Sequence, residues 1–142
     1  MSSRSTGERV LQVLEEDAQA SYADIAERAE VSKPTVRKYI NQLEEEGVIV
    51  GYSADVDPKK LSGQTIAMVG LEVASERYVD ATAALRDLEE VEALYSSSGD
   101  HTLMAEVRAE DSGAVGRVIN EEILAVEGVT EAHPSFLQER LK

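Results

Sequence analysis

The sequence predicts an α+β protein, an N-terminal helix-turn-helix (winged or plain) followed by a ferredoxin-like βαββαβ domain. Three observations carry this reading. Up to about Tyr52, apolar residues recur at helical spacing in three short runs. From Thr65 onward the spacing alternates over stretches that read as strands. Two longer amphipathic runs interrupt those strands in the order strand–helix–strand–strand–helix–strand, the ferredoxin-like arrangement. The domain plan is therefore residues 1–52 as a helical head, 53–63 as a linker and 64–142 as the second domain.

In the head, Thr6 precedes Val10, Leu11, Val13 and Leu14 and reads as the cap of a first helix. Asp17 to Ala20 breaks the period. Ser21 caps a second helix with Ile25, Ala26 and Ala29 on its inner face. Ser32 caps a third, where Pro34 is tolerated in the first turn and Val36, Tyr39, Ile40 and Leu43 form the buried stripe. Gly47 ends that helix, and Val48-Ile49-Val50 reads as a strand.

In the second block, Thr65, Ala67, Val69, Leu71 and Val73 share one face of a strand, with Ile66, Met68 and Gly70 on the other. Glu76 to Glu90 reads as a helix, aligned by Tyr78, Ala81, Leu85 and Leu88. Val91 to Ser97 and Thr102 to Arg108 are strands around the turn Ser98-Gly99-Asp100-His101. Val115, Val118, Ile119, Ile123 and Val126 mark a second helix, closed by Gly128. Val129 to Leu137 is a last strand, and Pro134 suits an edge position. Both helices cover one sheet face. The other face, carrying Ile66 and Met68, is expected to be buried by a partner subunit.

Charge narrows the class. The 142 residues hold 28 acidic and 14 basic side chains, a formal net charge of -14. The acids are scattered, and such self-repulsion is screened at high ionic strength, so a salt-adapted, halophilic protein is expected, the bland alternative being an acidic mesophilic protein with a solvated surface. With no cysteine, disulfide scaffolds, thiolate zinc sites, iron–sulfur clusters and cysteine nucleophiles are excluded. Apolar runs fall far short of the roughly 20 residues a membrane helix needs, and no leader pattern opens the chain, so a cytoplasmic location is expected.

The third helix departs from this acidic background. Between Ser32 and Leu43 stand three cations, Lys33, Arg37 and Lys38, and no acid. With Thr35, Asn41 and Gln42 they supply the side chains that reach phosphates and base edges in a major groove: cations to guanine, amides to adenine. A solvated helix face is the bland alternative. Ser32 serves as cap and phosphate donor, and Ser21 joins the DNA-facing set. Glu44-Glu45-Glu46 and Glu121-Glu122 lie on helices among many acids and read as solvated faces. No glycine-rich phosphate loop and no serine nucleophile with a placed base is present, so neither catalysis nor a cofactor is expected. The two histidines, His101 and His133, together with Asp100, raise a metal site or a pH switch. Two imidazoles without a thiolate favour water-facing side chains, and no metal is expected.

Residues 8–52 resemble the DNA-binding half of the Lrp/AsnC (leucine-responsive) family of bacterial and archaeal regulators. The carriers are Ser21-Tyr22-Ala23-Asp24-Ile25-Ala26, Val31 through Ile40, and Leu43-Glu44-Glu45-Glu46-Gly47-Val48-Ile49-Val50-Gly51-Tyr52. The second block resembles the same family's effector and oligomerisation domain. The resemblance implies homodimers or rings of dimers such as octamers, and an amino-acid effector held by the loop Ser98, Gly99, Asp100, His101 and Thr102. Departures from the family pattern are Tyr39 where another arginine is usual, Thr102 where an acid helps hold the effector, and Ala132 and Pro134 where threonines are frequent.

The expected protein is a sequence-specific transcriptional regulator that binds double-stranded DNA and no membrane and responds to an amino acid or another small metabolite. Two alternatives are a sequence-tolerant architectural DNA binder and, further off, a small ferredoxin-like enzyme.

Overall fold

The computed structural model describes residues 5–142, so the first four residues of the expected head lie outside the described residues. The chain forms two compact units that meet in sequence at Asp55 and Val56, inside the stretch read as a linker.

The first unit is three helices: α1 (Thr6–Glu16), α2 (Tyr22–Ala29) and α3 (Lys33–Glu45). Each starts on a serine whose hydroxyl accepts an otherwise unpaired helix N–H. Ser5 accepts from Glu8 at 3.2 Å, Ser21 from Asp24 at 3.1 Å and Ser32 from Thr35 at 3.3 Å. The first cap is therefore Ser5 rather than Thr6, which already lies inside the helix. Val10, Val13, Leu14, Ile25, Ala26, Ala29, Val36 and Ile40 close one core. Arg9 ties α1 to the end of α2 through the Ala29 carbonyl, at 3.2 Å.

The turn between α2 and α3 is tight because Glu30 takes the left-handed conformation, at φ 58°. That lets the Val31 N–H reach back to the Ala26 carbonyl at 2.9 Å. A β-carbon makes this conformation costly, by about 1–2 kcal/mol. At the end of α3, Gly47 fills the equivalent position at φ 73° without that cost, and Val48 N–H bonds the Leu43 carbonyl at 2.9 Å. The expected strand Val48–Val50 does not form. Val48 and Ile49 both donate back to Leu43, and no described strand pairs with the segment.

The second unit is a four-stranded antiparallel sheet of order β2-β3-β1-β4. Its strands are β1 (Thr65–Val73), β2 (Val91–Ser96), β3 (Leu103–Ala109) and β4 (Val129–Leu137), with α4 (Tyr78–Arg86) and α5 (Ser112–Arg117) on one face. Ala67, Val69, Leu71 and Val73 of β1 pack with Leu103, Ala105 and Val107 of β3 against Ala81, Leu85, Val115, Ile119 and Ile123. The helix expected over Glu76–Glu90 is shorter, preceded by a 3-10 turn over Ser75–Arg77. The second helix continues from α5 into a π turn over Val118–Ile123, closed by a Leu124 N–H to Ile119 carbonyl bond of 2.9 Å. Pro134 sits on β4, the edge strand, opposite Val69.

The sheet's second face is less bare than expected. Ile66 is only 3% exposed, although it lies outside the helix-side core. Its β4 partner is Leu137, and just beyond that residue Lys59 pairs with Glu139 at 2.9 Å while Asp57 accepts from the Arg140 N–H at 3.0 Å. The 3-10 turn Pro58–Lys60 thus meets the C-terminal residues at this end of the sheet. Half-buried Met68 and Met104 and the exposed Tyr95 remain on the face. No described helix is long and apolar enough to cross a membrane.

Candidate nucleic-acid interface and effector loop

α3 buries Val36 and Ile40, with Tyr39 packed partly against the same core, and leaves Lys33, Arg37, Lys38 and Asn41 exposed. Lys33, Arg37 and Asn41 recur every fourth residue and therefore stand in one row, with Pro34 and Lys38 in the row beside it. Together with Tyr22 of α2 they line a surface groove of about 360 Å³. Lys33, Arg37, Lys38 and Asn41 are thus brought together as expected. The other expected residues are not in this groove. Ser21 and Ser32 cap their helices, and the Ser32 hydroxyl also lies 2.9 Å from that of Thr35. Gln42 Nε2 donates to Glu46 Oε1 at 3.0 Å, one turn on.

Tyr22 is the residue that sequence reasoning missed. It opens α2, is 38% exposed, and has the Arg37 guanidinium 5.4 Å above its ring. Such a contact orients the cation at small cost in solvation. Lys38 lies similarly over Tyr39, at 5.8 Å. The sequence marks Tyr22 only as a tyrosine next to the Ser21 cap; its place beside Arg37 comes from the packing of α2 on α3.

The loop Ser98–Thr102 joins β2 to β3 and is pinned at its base. Ser97 N–H bonds the Thr102 carbonyl, and Thr102 N–H bonds the Leu71 carbonyl, both at 3.0 Å. Gly99 takes φ 131°, and Ser98, Gly99 and Asp100 are exposed. His101 instead folds back across β1, over Gly70, where any β-carbon would lie 2.3 Å from its ring. There its Nδ1 stands 2.9 Å from Glu72 Oε2, and this hydrogen bond holds the Glu72 carboxyl below the usual carboxylate range. His133 of β4 stacks on His101 with ring centres 5.2 Å apart. The loop is therefore divided between a solvent-facing tip and one side chain committed to the sheet. A cavity of about 470 Å³ in this unit is lined from α4, β2 and β3, by Tyr78, Thr82, Arg86 and Leu94 among others, and by none of the loop residues Ser98–Thr102.

The family is decided by both halves. A model described as winged helix-turn-helix DNA-binding matches residues 4–50, and one described as the Lrp/AsnC ligand binding domain matches residues 66–142. The chain belongs to the Lrp/AsnC family. Among its Lrp/AsnC relatives, the HTH-type transcriptional regulator LrpA1 of Halobacterium salinarum is 75% identical over the whole length of both chains. LrpA of Pyrococcus horikoshii is 35% identical over 133 residues, 94% of each chain. The fold matches a Neisseria meningitidis transcriptional regulator solved as its L-Met complex, with a TM-score of 0.72 and 23% identity, over 99% of this chain and 93% of that one. This Lrp/AsnC chain is a transcriptional regulator with a DNA-binding helix-turn-helix and a ligand-binding domain. The Halobacterium relative agrees with the salt-adapted composition. Its relatives' names describe regulators, as expected for a non-enzyme.

Proposed function

We propose that the protein is a sequence-specific regulator that reads the major groove with α3 and works as a homodimer or a ring of dimers. The observation that carries this is the groove of Lys33, Arg37, Lys38 and Asn41, a cationic row on a chain of net charge -14. Arginine and lysine suit guanine or phosphate, and Asn41 suits adenine. Ser32 and Thr35 at the start of α3 favour a phosphate, as helix N-termini do. Gln42 reads a base only by leaving Glu46.

The acidic body sets the salt response. An ordinary DNA binder loses affinity with a log–log slope of about -0.9 per neutralised phosphate. Here the surrounding carboxylates repel DNA at long range, and at molar salt the Debye length is about 3 Å, so that repulsion vanishes while groove contacts survive. Titration against a pool of genomic fragments is expected to enrich a discrete set, with shallow or rising affinity between roughly 0.5 and 2 M salt. Even enrichment of all fragments would favour the architectural reading, and a steep fall with salt would make the acidic surface irrelevant to DNA approach.

Assembly follows from the sheet's second face. Met68, Met104 and Tyr95 give it apolar positions beside the Glu106–Arg108 ion pair, and a second copy covers them by symmetry. Light scattering under working salt should give two or more copies; a monomer at micromolar concentration would sink this part. The domain match and the L-Met complex of the neisserial protein support a small-molecule effector such as an amino acid, and the loop Ser98–Thr102 is its proposed seat. Such an effector acts by shifting the population of head-to-head arrangements.

A further inference from the structure

We propose that Glu72, His101 and His133 form a binding site for one divalent transition-metal ion of the zinc type. The three come from β1, the β2–β3 loop and β4, and they include both histidines of the chain. Among the described residues they are the one group of three such side chains whose ligand atoms all lie within 4.8 Å of one another. His101 Nδ1 stands 2.9 Å and His133 Nε2 3.5 Å from the same oxygen, Glu72 Oε2. Ligand atoms held about 2.0–2.1 Å from a tetrahedral ion stand about 3.3 Å apart, so small side-chain rotations admit the ion between them. Two imidazoles and a carboxylate suit zinc and its neighbours rather than magnesium or calcium, and a fourth position is left to solvent.

The surroundings are built for this placement. Gly70 has no side chain, which lets the His101 ring lie across the strand within reach of Glu72. Glu131 Oε2 stands 3.7 Å from His133 Nε2, a second carboxylate beside the ligands that favours a cation. Asp100, the acid weighed with the histidines from sequence, is not in the group; Glu72 takes that role. A bound ion would join the effector loop to the edge strand across β1.

The test is calorimetric titration of the full chain with zinc chloride in molar potassium chloride, with magnesium in excess to occupy scattered surface carboxylates. One zinc per chain is expected. His133→Ala, on an exposed edge position, and Glu72→Gln, which keeps the side chain's shape, should each weaken it at least about 10–100-fold, the loss that even outer-shell partners cause. Glu92→Gln, at an exposed site on β2, should leave binding unchanged, and circular dichroism confirms folding of each variant. Absence of a one-to-one site in the unaltered chain overturns the proposal. So does equal binding in all four proteins, which would assign the zinc to the general acidic surface and leave the cluster a hydrogen-bonded acid–base group.

Discussion

Ile25→Ala should unfold the helical head while leaving the sheet unit intact. Ile25 is fully buried where the three helices meet, in a core of eight buried residues. Truncating a buried isoleucine to alanine costs about 2–5 kcal/mol, from lost apolar burial and the cavity left behind. A unit of this size buries a smaller fraction of its surface than a larger domain does and is correspondingly marginal, so the loss takes most of its margin. The sheet unit has its own separate core and does not share the damage. Hydrogen exchange read by segment is the measurement. Protection should be lost across α1 to α3 and kept in β1 and β3, and DNA retention should disappear with the head. Loss of protection in both units together would show that they fold as one.

Arg37→Ala should weaken specific DNA binding by about 1–3 kcal/mol, roughly 5- to 150-fold, if the guanidinium reads a base. Both cations rest over a tyrosine ring, so the difference lies in the head group: the planar guanidinium of Arg37 can bond a guanine edge through two N–H groups, whereas the Lys38 ammonium acts as a point charge. Lys38→Ala should cost less and act evenly across sequences, lowering the salt slope by about one, as a phosphate contact does. Gln42→Ala should change little, since Gln42 is already bonded to Glu46. Competition binding against scrambled operators separates these outcomes. Unchanged affinity in both cation variants would remove α3 from the interface.

How far each feature is legible in the sequence follows the range of the interaction that makes it. Ser21 and Ser32 can be found as caps because each bonds an amide three residues on. The two faces of β1 are legible because alternation is local. Val48–Val50 misleads for the opposite reason: apolar residues suggest a strand, but a ladder needs a partner, and here the amides turn back to Leu43. The π turn after α5 adds one residue to a helical turn while keeping Val118, Ile119 and Ile123 buried, so the apolar pattern does not betray it. In the candidate sites, the cationic row is visible because it lies on one helix. Tyr22 is contributed by another helix, and Glu72 meets a histidine 29 residues away, so only the fold brings them in.

Pro134 bears on how copies of this chain can meet. A sheet rim with every amide available is an unfinished polymer end, and any strand of matching length can extend it. The β4 rim carries a residue with no amide hydrogen near the middle of its span, so a ladder started there is interrupted after a few residues. Growth along the hydrogen-bonding direction is thereby terminated on that side. A second strand laid along that rim finds one rung of its ladder missing, so contact between copies there is left to side chains.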